Sequence, residues 1–206
     1  MLCNIIGHWL HLTPKQIEEI TLAGLLHDIG KLRIDKAILK KPSKLSDREF
    51  NEIKLHPVYG YDLIKHMNIS ENIKLGVLLH HEKMDGSGYP YGYKETNIND
   101  FAKIISIADI YDAMTSDRSY HKKYSPFTVI STFEHDSYGI LDTKFLFVFL
   151  QNIAHNYLGT KIKLSNGQIG KVVFIHDNSP SRPIVQIGNT MLDLLLEPSI
   201  DIEEIL

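Results

Sequence analysis

The sequence predicts a mainly α-helical domain running to about residue 158 and a small antiparallel β appendage over 159–206. Three observations carry this. Apolar residues recur at helical spacing through most of the first part, as in Ile17, Ile20, Leu22, Ala23, Leu25 and Leu26. Two capping boxes, Thr13 with Gln16 and Ser46 with Glu49, mark helix starts. After Gly159 the character changes: short apolar runs at 161–164 and 169–175 flank Asn166-Gly167, a strong hairpin signal, and 183–187 and 191–196 read as two more strands.

Residues 2–12 carry Leu2, Ile5, Ile6, Trp9 and Leu10 at helical spacing with no capping residue before them, so the chain reads as beginning partway through a helix. Thr13 then opens a helix, with Pro14 at its first position, that runs into His27-Asp28-Ile29-Gly30-Lys31. The Ser46 box opens a helix through Phe50, Ile53 and Leu55, which Pro57 is expected to end or kink at His56. A helix is expected from Glu71 to His81, and Asp85-Gly86-Ser87-Gly88-Tyr89-Pro90 must be a loop. Residues 100–115, 125–135 and 143–158 read as helices, and no repeat or low-complexity segment interrupts them.

A chain of 206 residues fits one domain with an appendage, or two modest domains. Hydrophobic residues at 43% and charged residues at 23% exclude a disordered chain. A net charge of -3 gives no global attraction for DNA or an anionic membrane, so any phosphate site must be local. One cysteine, Cys3, forms no internal disulfide, which suits a cytoplasmic protein. No apolar run reaches membrane-spanning length, and the N-terminus has no basic region or cleavage site of a signal peptide.

The chemistry-bearing residues cluster in the helical part. His27 and Asp28 end an apolar run, and the pair supplies a nitrogen ligand and a carboxylate able to bridge two ions; Lys31 lies on the same helix face, where it can meet a phosphate. Read alone, Asp28 and Lys31 also fit a surface ion pair, with His27 as a satisfied core histidine. His56 by itself reads as a helix-end histidine. His80 and His81 close an apolar helix with no core role in view, and there a metal is the better reading. Gly86 and Gly88 let backbone approach a ligand, and Tyr89 offers an aromatic face or a rigid turn. Asp109 interrupts the apolar run of Ile104, Ile105, Ile107, Ala108 and Ile110 and needs a metal or an Arg partner such as Arg118; Asp112 lies one turn further. Together His27, Asp28, His56, His80, His81 and Asp109 form a nitrogen and oxygen ligand set without thiolate. It suits iron, manganese or zinc in a hydrolytic two-metal site, where metals lower the pKa of water and neutralise a phosphodiester.

The stretches LLHDIGK at 25–31, KPSKLSDREF at 41–50, HP at 56–57, HHEKMDGSGYP at 80–90 and ADIYDAMTSDRSY at 108–120 resemble the HD-GYP family of HD-domain phosphohydrolases, over roughly residues 8–158. The resemblance implies an HD-domain helical bundle, two or three divalent metal ions (iron or manganese), and hydrolysis of cyclic di-GMP to linear pGpG or to GMP. By position it implies His27, Asp28, His56, His80, His81 and Asp109 as metal ligands, with Asp28 bridging. Asp28 and Lys31 become the catalytic pair, and Lys31, Tyr89, Asp112 and Arg118 the substrate contacts. The family's further basic residue, three positions after Arg118, falls on His121 with Lys122 and Lys123 behind it, and Lys122 is the candidate contact.

The family also has a histidine ligand one helix earlier, and counting back puts it before Met1. The expectation is therefore a phosphohydrolase domain over 1–158 with an incomplete first helix, without the sensor domain that usually precedes it. His8 and His11 read as helix-end residues, and His66, His135, His155 and His176 match no motif. The extension over 159–206 reads as a packing or homodimer surface. Two functional readings follow: an active phosphodiesterase, or a cyclic-dinucleotide-binding module impaired by the absent ligand. A third keeps the chemistry and changes the substrate to another cyclic dinucleotide.

Overall fold

The computed structural model describes residues 2–116 and 123–206. Its described residues fold into two compact units, 1–110 with 139–145, and 111–138 with 146–206.

In the first unit, α1 (Leu2–Trp9) leads to α2 (Pro14–Leu26). The expected capping box is present: Thr13 accepts from Gln16 N–H while the Gln16 side chain accepts from Thr13 N–H. Beyond Leu26 the chain tightens into a 3-10 helix, Ile29–Arg33, so His27 and Asp28 occupy the junction between two helix types. The short α3 (Lys36–Leu39) follows, and the Ser46–Glu49 box opens α4 (Asp47–Ile53).

Here the structure departs from expectation. The α4 helix stops at Ile53, and Pro57 lies in the first turn of a new helix, α5 (His56–Ile64). Proline fits there because a first-turn residue has no intrahelical use for its N–H. The α6 helix (Glu71–Leu79) ends just before His80, and α7 (Asp100–Thr115, in this unit up to Ile110) carries Asp109. Ile6, Ile20, Ala23, Ile64, Val77, Ile104 and Ile105 form the buried centre of this unit.

The second unit contains α8 (Pro126–Asp136), α9 (Thr143–His155, from Leu146 onward) and a five-stranded antiparallel sheet. The strands are β1 (Lys161–Leu164), β2 (Ile169–His176), β3 (Ser179–Ile187), β4 (Thr190–Asp193) and β5 (Ile202–Ile205), ordered β4-β3-β2-β1-β5. The Asn166-Gly167 hairpin joins β1 to β2, with Gly167 at φ 83°. The run expected over 191–196 is strand only to Asp193, and β5 was not expected. Phe133, Phe149, Leu146, Ile162, Leu164, Val172 and Val185 fill this core. The Glu134 carboxylate accepts hydrogen bonds from the backbone N–H and the hydroxyl of Ser181, tying α8 to β3. Among the described residues no helix is long and apolar enough to cross a membrane.

Candidate metal centre

Two glycines set the position of His56. A Cβ on Gly30 would lie 1.9 Å from His56 O and 2.4 Å from Gly60 N, and one on Gly60 would lie 2.8 Å from Val77 Cγ1. Without side chains at both positions the 3-10 helix lies directly on α5, and α5 on α6. That packing carries His56 to Asp28 and to the end of α6.

One ligand atom each from Asp28, His56, His80 and His81 lies within 4.8 Å of the others. Three imidazoles are fixed by their second nitrogens: Nδ1 of His27, His56 and His80 each lie 2.8 Å from a carbonyl, of Gly24, Ile53 and Val77 respectively. A carbonyl has no proton to give, so each Nδ1 donates. In the neutral rings Nε2 is then the lone pair, an arrangement that orients metal-ligating histidines. His56 and His80 are fully buried, and their Nε2 atoms lie 3.3 Å apart.

Asp28 faces two sets of candidate ligands. Its Oδ1 lies 3.2 Å from His56 Nε2, and its Oδ2 lies 3.4 Å from His27 Nε2. With the His56 proton on Nδ1, the 3.2 Å approach is no hydrogen bond, and Asp28 Oδ1 is a buried oxygen without a donor. Buried polar atoms left unsatisfied cost about 1–3 kcal/mol. An orphaned carboxylate oxygen beside unprotonated imidazole nitrogens fits a metal ion, so the cluster is suited to hold one. Lys31 Nζ donates to Asp28 Oδ2 at 2.6 Å. Asp109 Oδ1 lies 3.7 Å from His27 Nε2, placing it beside the second set.

Charge follows the same division. Burial and neighbouring imidazoles hold His80 and His81 well below the usual histidine value, hence neutral. Burial opposes charging of His27 as well, but Asp109 and Asp28 outweigh it and raise His27 to about 10.

Of the other expected site residues, Tyr89 stacks on the His81 ring at 4.6 Å and 24°. Asp112 is exposed on α7, three residues after Asp109. Arg118 and Lys122 lie outside the described residues. Sequence reasoning gave no role to Glu82, which is buried; its carboxylate accepts from Tyr91 N–H at 2.7 Å and Tyr93 N–H at 2.9 Å. It thereby holds the loop that contains Tyr89. The signal available was a carboxylate directly after an apolar helix, a place that demands a partner.

The unassigned histidines are ordinary. His8, His66, His135 and His155 are exposed, as is His11. His176 Nε2 meets Asp193 Oδ1 at 2.9 Å within the sheet.

Comparison with known proteins agrees with this geometry. The "HD domain" family model matches residues 1–137. The chain is 34% identical over 183 residues to "Cyclic di-GMP phosphodiesterase PA4108" of Pseudomonas aeruginosa, covering 88% of this chain and 44% of that protein. It is 40% identical over 98 residues to "3'3'-cGAMP-specific phosphodiesterase 3" of Vibrio cholerae, covering 48% and 21%. Among solved structures, "Bd1817, a HDG"Y"P protein from Bdellovibrio bacteriovorus" is similar at a TM-score of 0.59 and 20% identity, over 73% of this chain and 48% of that one, a likeness of fold. The chain thus spans less than half the length of each of these proteins. With its His-Asp and Gly-Tyr-Pro motifs and the match over residues 1–137, the chain belongs to the HD domain family, in its HD-GYP branch.

Proposed function

We propose that this chain is the catalytic part of a metal-dependent phosphodiesterase that hydrolyses cyclic di-GMP to linear pGpG, to GMP, or to both. The observation that carries the reading is the cluster of Asp28, His56, His80 and His81, with an orphaned Asp28 oxygen and Lys31 at its edge. In this reading His56, His80, His81 and Asp28 would hold one ion, and His27, Asp109 and Asp28 another. Two ions, with iron or manganese as the metals that suit such ligands, are the proposed complement, and a third belongs to the same proposal. Bound metals supply Lewis acidity toward a phosphodiester oxygen and lower the pKa of water.

The chain's own residues do the rest. An ammonium has three protons, and Lys31 uses one on Asp28, leaving two for a nonbridging phosphate oxygen. Tyr89, stacked on His81 and with Lys54 Nζ 5.9 Å from its ring centre, is the proposed aromatic contact for a base. Asp112, Arg118 and Lys122 remain proposed substrate contacts. The phosphohydrolase part is taken as 1–158 and 159–206 as an extension offering a homodimer surface. A cytoplasmic location goes with this reading. The similarity to a 3'3'-cGAMP-specific enzyme favours a second substrate reading, with cyclic GMP-AMP in place of cyclic di-GMP.

The test is an anaerobic assay of the chain with added iron or manganese, presenting each cyclic dinucleotide separately and following linear product. Turnover of cyclic di-GMP alone supports the first reading, and turnover of cyclic GMP-AMP alone replaces it with the second. Metal and nucleotide binding without turnover of either makes the chain a binding module.

A further inference from the structure

Lys83 follows the His80-His81-Glu82 run, and its half-buried side chain leads to α7 rather than to solvent. Its ammonium donates to Ser106 Oγ at 3.3 Å. Ser106 is itself buried, 4% exposed, and stands three residues before Asp109, hence on the same face of α7. Lys83 has no ion-pair partner among the described residues, so a long hydrogen bond to a neutral hydroxyl is poor compensation for a charge taken out of water. The start of the side chain is also fixed: a Cβ on Gly88 would lie 2.4 Å from Lys83 N, so the glycine-rich loop rests directly on that backbone.

We infer that Lys83 is a positioning residue for Asp109, tethering through Ser106 the segment of α7 that presents this carboxylate to the metal cluster. The inference rests on the metal reading above. Lys31 meets Asp28 directly, whereas Lys83 reaches the Asp109 segment through Ser106. Carboxylates that ligate metals need such partners, and losing one costs roughly 10–100-fold in metal affinity or activity.

The experiment measures Mn(II) affinity of the full chain by competition with a chromophoric chelator, alongside the melting temperature. Lys83→Met is expected to weaken Mn(II) binding by at least about tenfold, and Lys83→Arg to restore most of it. In an Asp109→Asn background the Lys83→Met effect should vanish, because there is no carboxylate left to place. A Lys83→Met chain that melts lower but binds Mn(II) as tightly as wild type, or more tightly, makes Lys83 a packing residue and overturns the inference. So does a raised KM for cyclic dinucleotide at unchanged metal affinity, which would make it a substrate contact. A wild-type chain that binds no Mn(II) or Fe(II) overturns the metal reading itself, and this inference with it.

Discussion

His56 Nε2 and His80 Nε2 stand 3.3 Å apart with both ring protons committed elsewhere, to the carbonyls of Ile53 and Val77. With both rings in the neutral form, two lone pairs face each other in a fully buried place. That arrangement is costly until a cation enters between them, so ligand binding and folding are coupled at this point. At a free metal concentration 100 times Kd, binding stabilises the folded chain by about 2.7 kcal/mol, or roughly 5–10 °C in Tm. Thermal melts with and without Mn(II) or Fe(II) check this. In His80→Asn the metal-induced rise is expected to disappear.

In the proposed centre Asp28 is the carboxylate shared by the two candidate ligand sets. Asp28→Ala is expected to lose bound metal and activity together, with activity at background in the assay above. Metal content of the purified variant decides the matter, and a variant that keeps the wild-type complement defeats the bridging assignment.

The glycine-rich loop is placed by close backbone contact. A methyl group at Gly88 would lie 2.4–2.5 Å from Lys83 N, Glu82 Cα and His81 O, so the loop must move. A displacement of about 1 Å costs on the order of 100-fold in rate. Gly88→Ala is therefore expected to lower kcat/KM by about that factor. Steady-state kinetics, read beside a circular dichroism spectrum unchanged from wild type, separate this from unfolding.

Gly30 differs in kind, because its neighbours are the backbone of another helix. Gly30→Ala puts a methyl 1.9 Å from His56 O, and overpacking of this sort costs roughly 1–3 kcal/mol or more. Urea denaturation should give a lower midpoint for Gly30→Ala than for Gly88→Ala. Equal midpoints would mean that the 3-10 helix and α5 yield more easily than their spacing implies.

Glu49 reports on a helix start. Hydrogen bonds from Lys41 and from Ser46 lower its carboxyl from 4.5 to about 2. A depressed folded pKa adds stability above the unfolded value, and that contribution is lost as pH falls from about 4.5 through about 2. Carboxyl-carbon NMR should place the Glu49 midpoint near pH 2. Ser46→Ala should raise it and remove about 1 kcal/mol of cap stability.

What the sequence determined by itself is local. Thr13 with Gln16 and Ser46 with Glu49 could be read because a capping box spans three residues, within reach of a side chain whatever the rest of the chain does. The Asn166-Gly167 turn is equally local, since Gly167 needs only its own backbone freedom to take φ 83°. The candidate ligands were readable as residue types because imidazoles and carboxylates in apolar runs demand partners. Which partners they meet is tertiary. Asp28 meets His56 only because Gly30 and Gly60 have no side chains to hold the 3-10 helix, α5 and α6 apart. Pro57 begins a helix rather than ending one because α4 has already stopped at Ile53. The β5 strand, four residues long, exists through its pairing with β1 some forty positions earlier, which no local pattern encodes. Glu82 and Lys83 acquire their roles the same way, from backbone N–H groups nine and eleven residues on and a serine 23 residues on. Short-range hydrogen bonds are fixed by spacing along the chain, whereas these contacts are fixed by burial, which the whole fold decides.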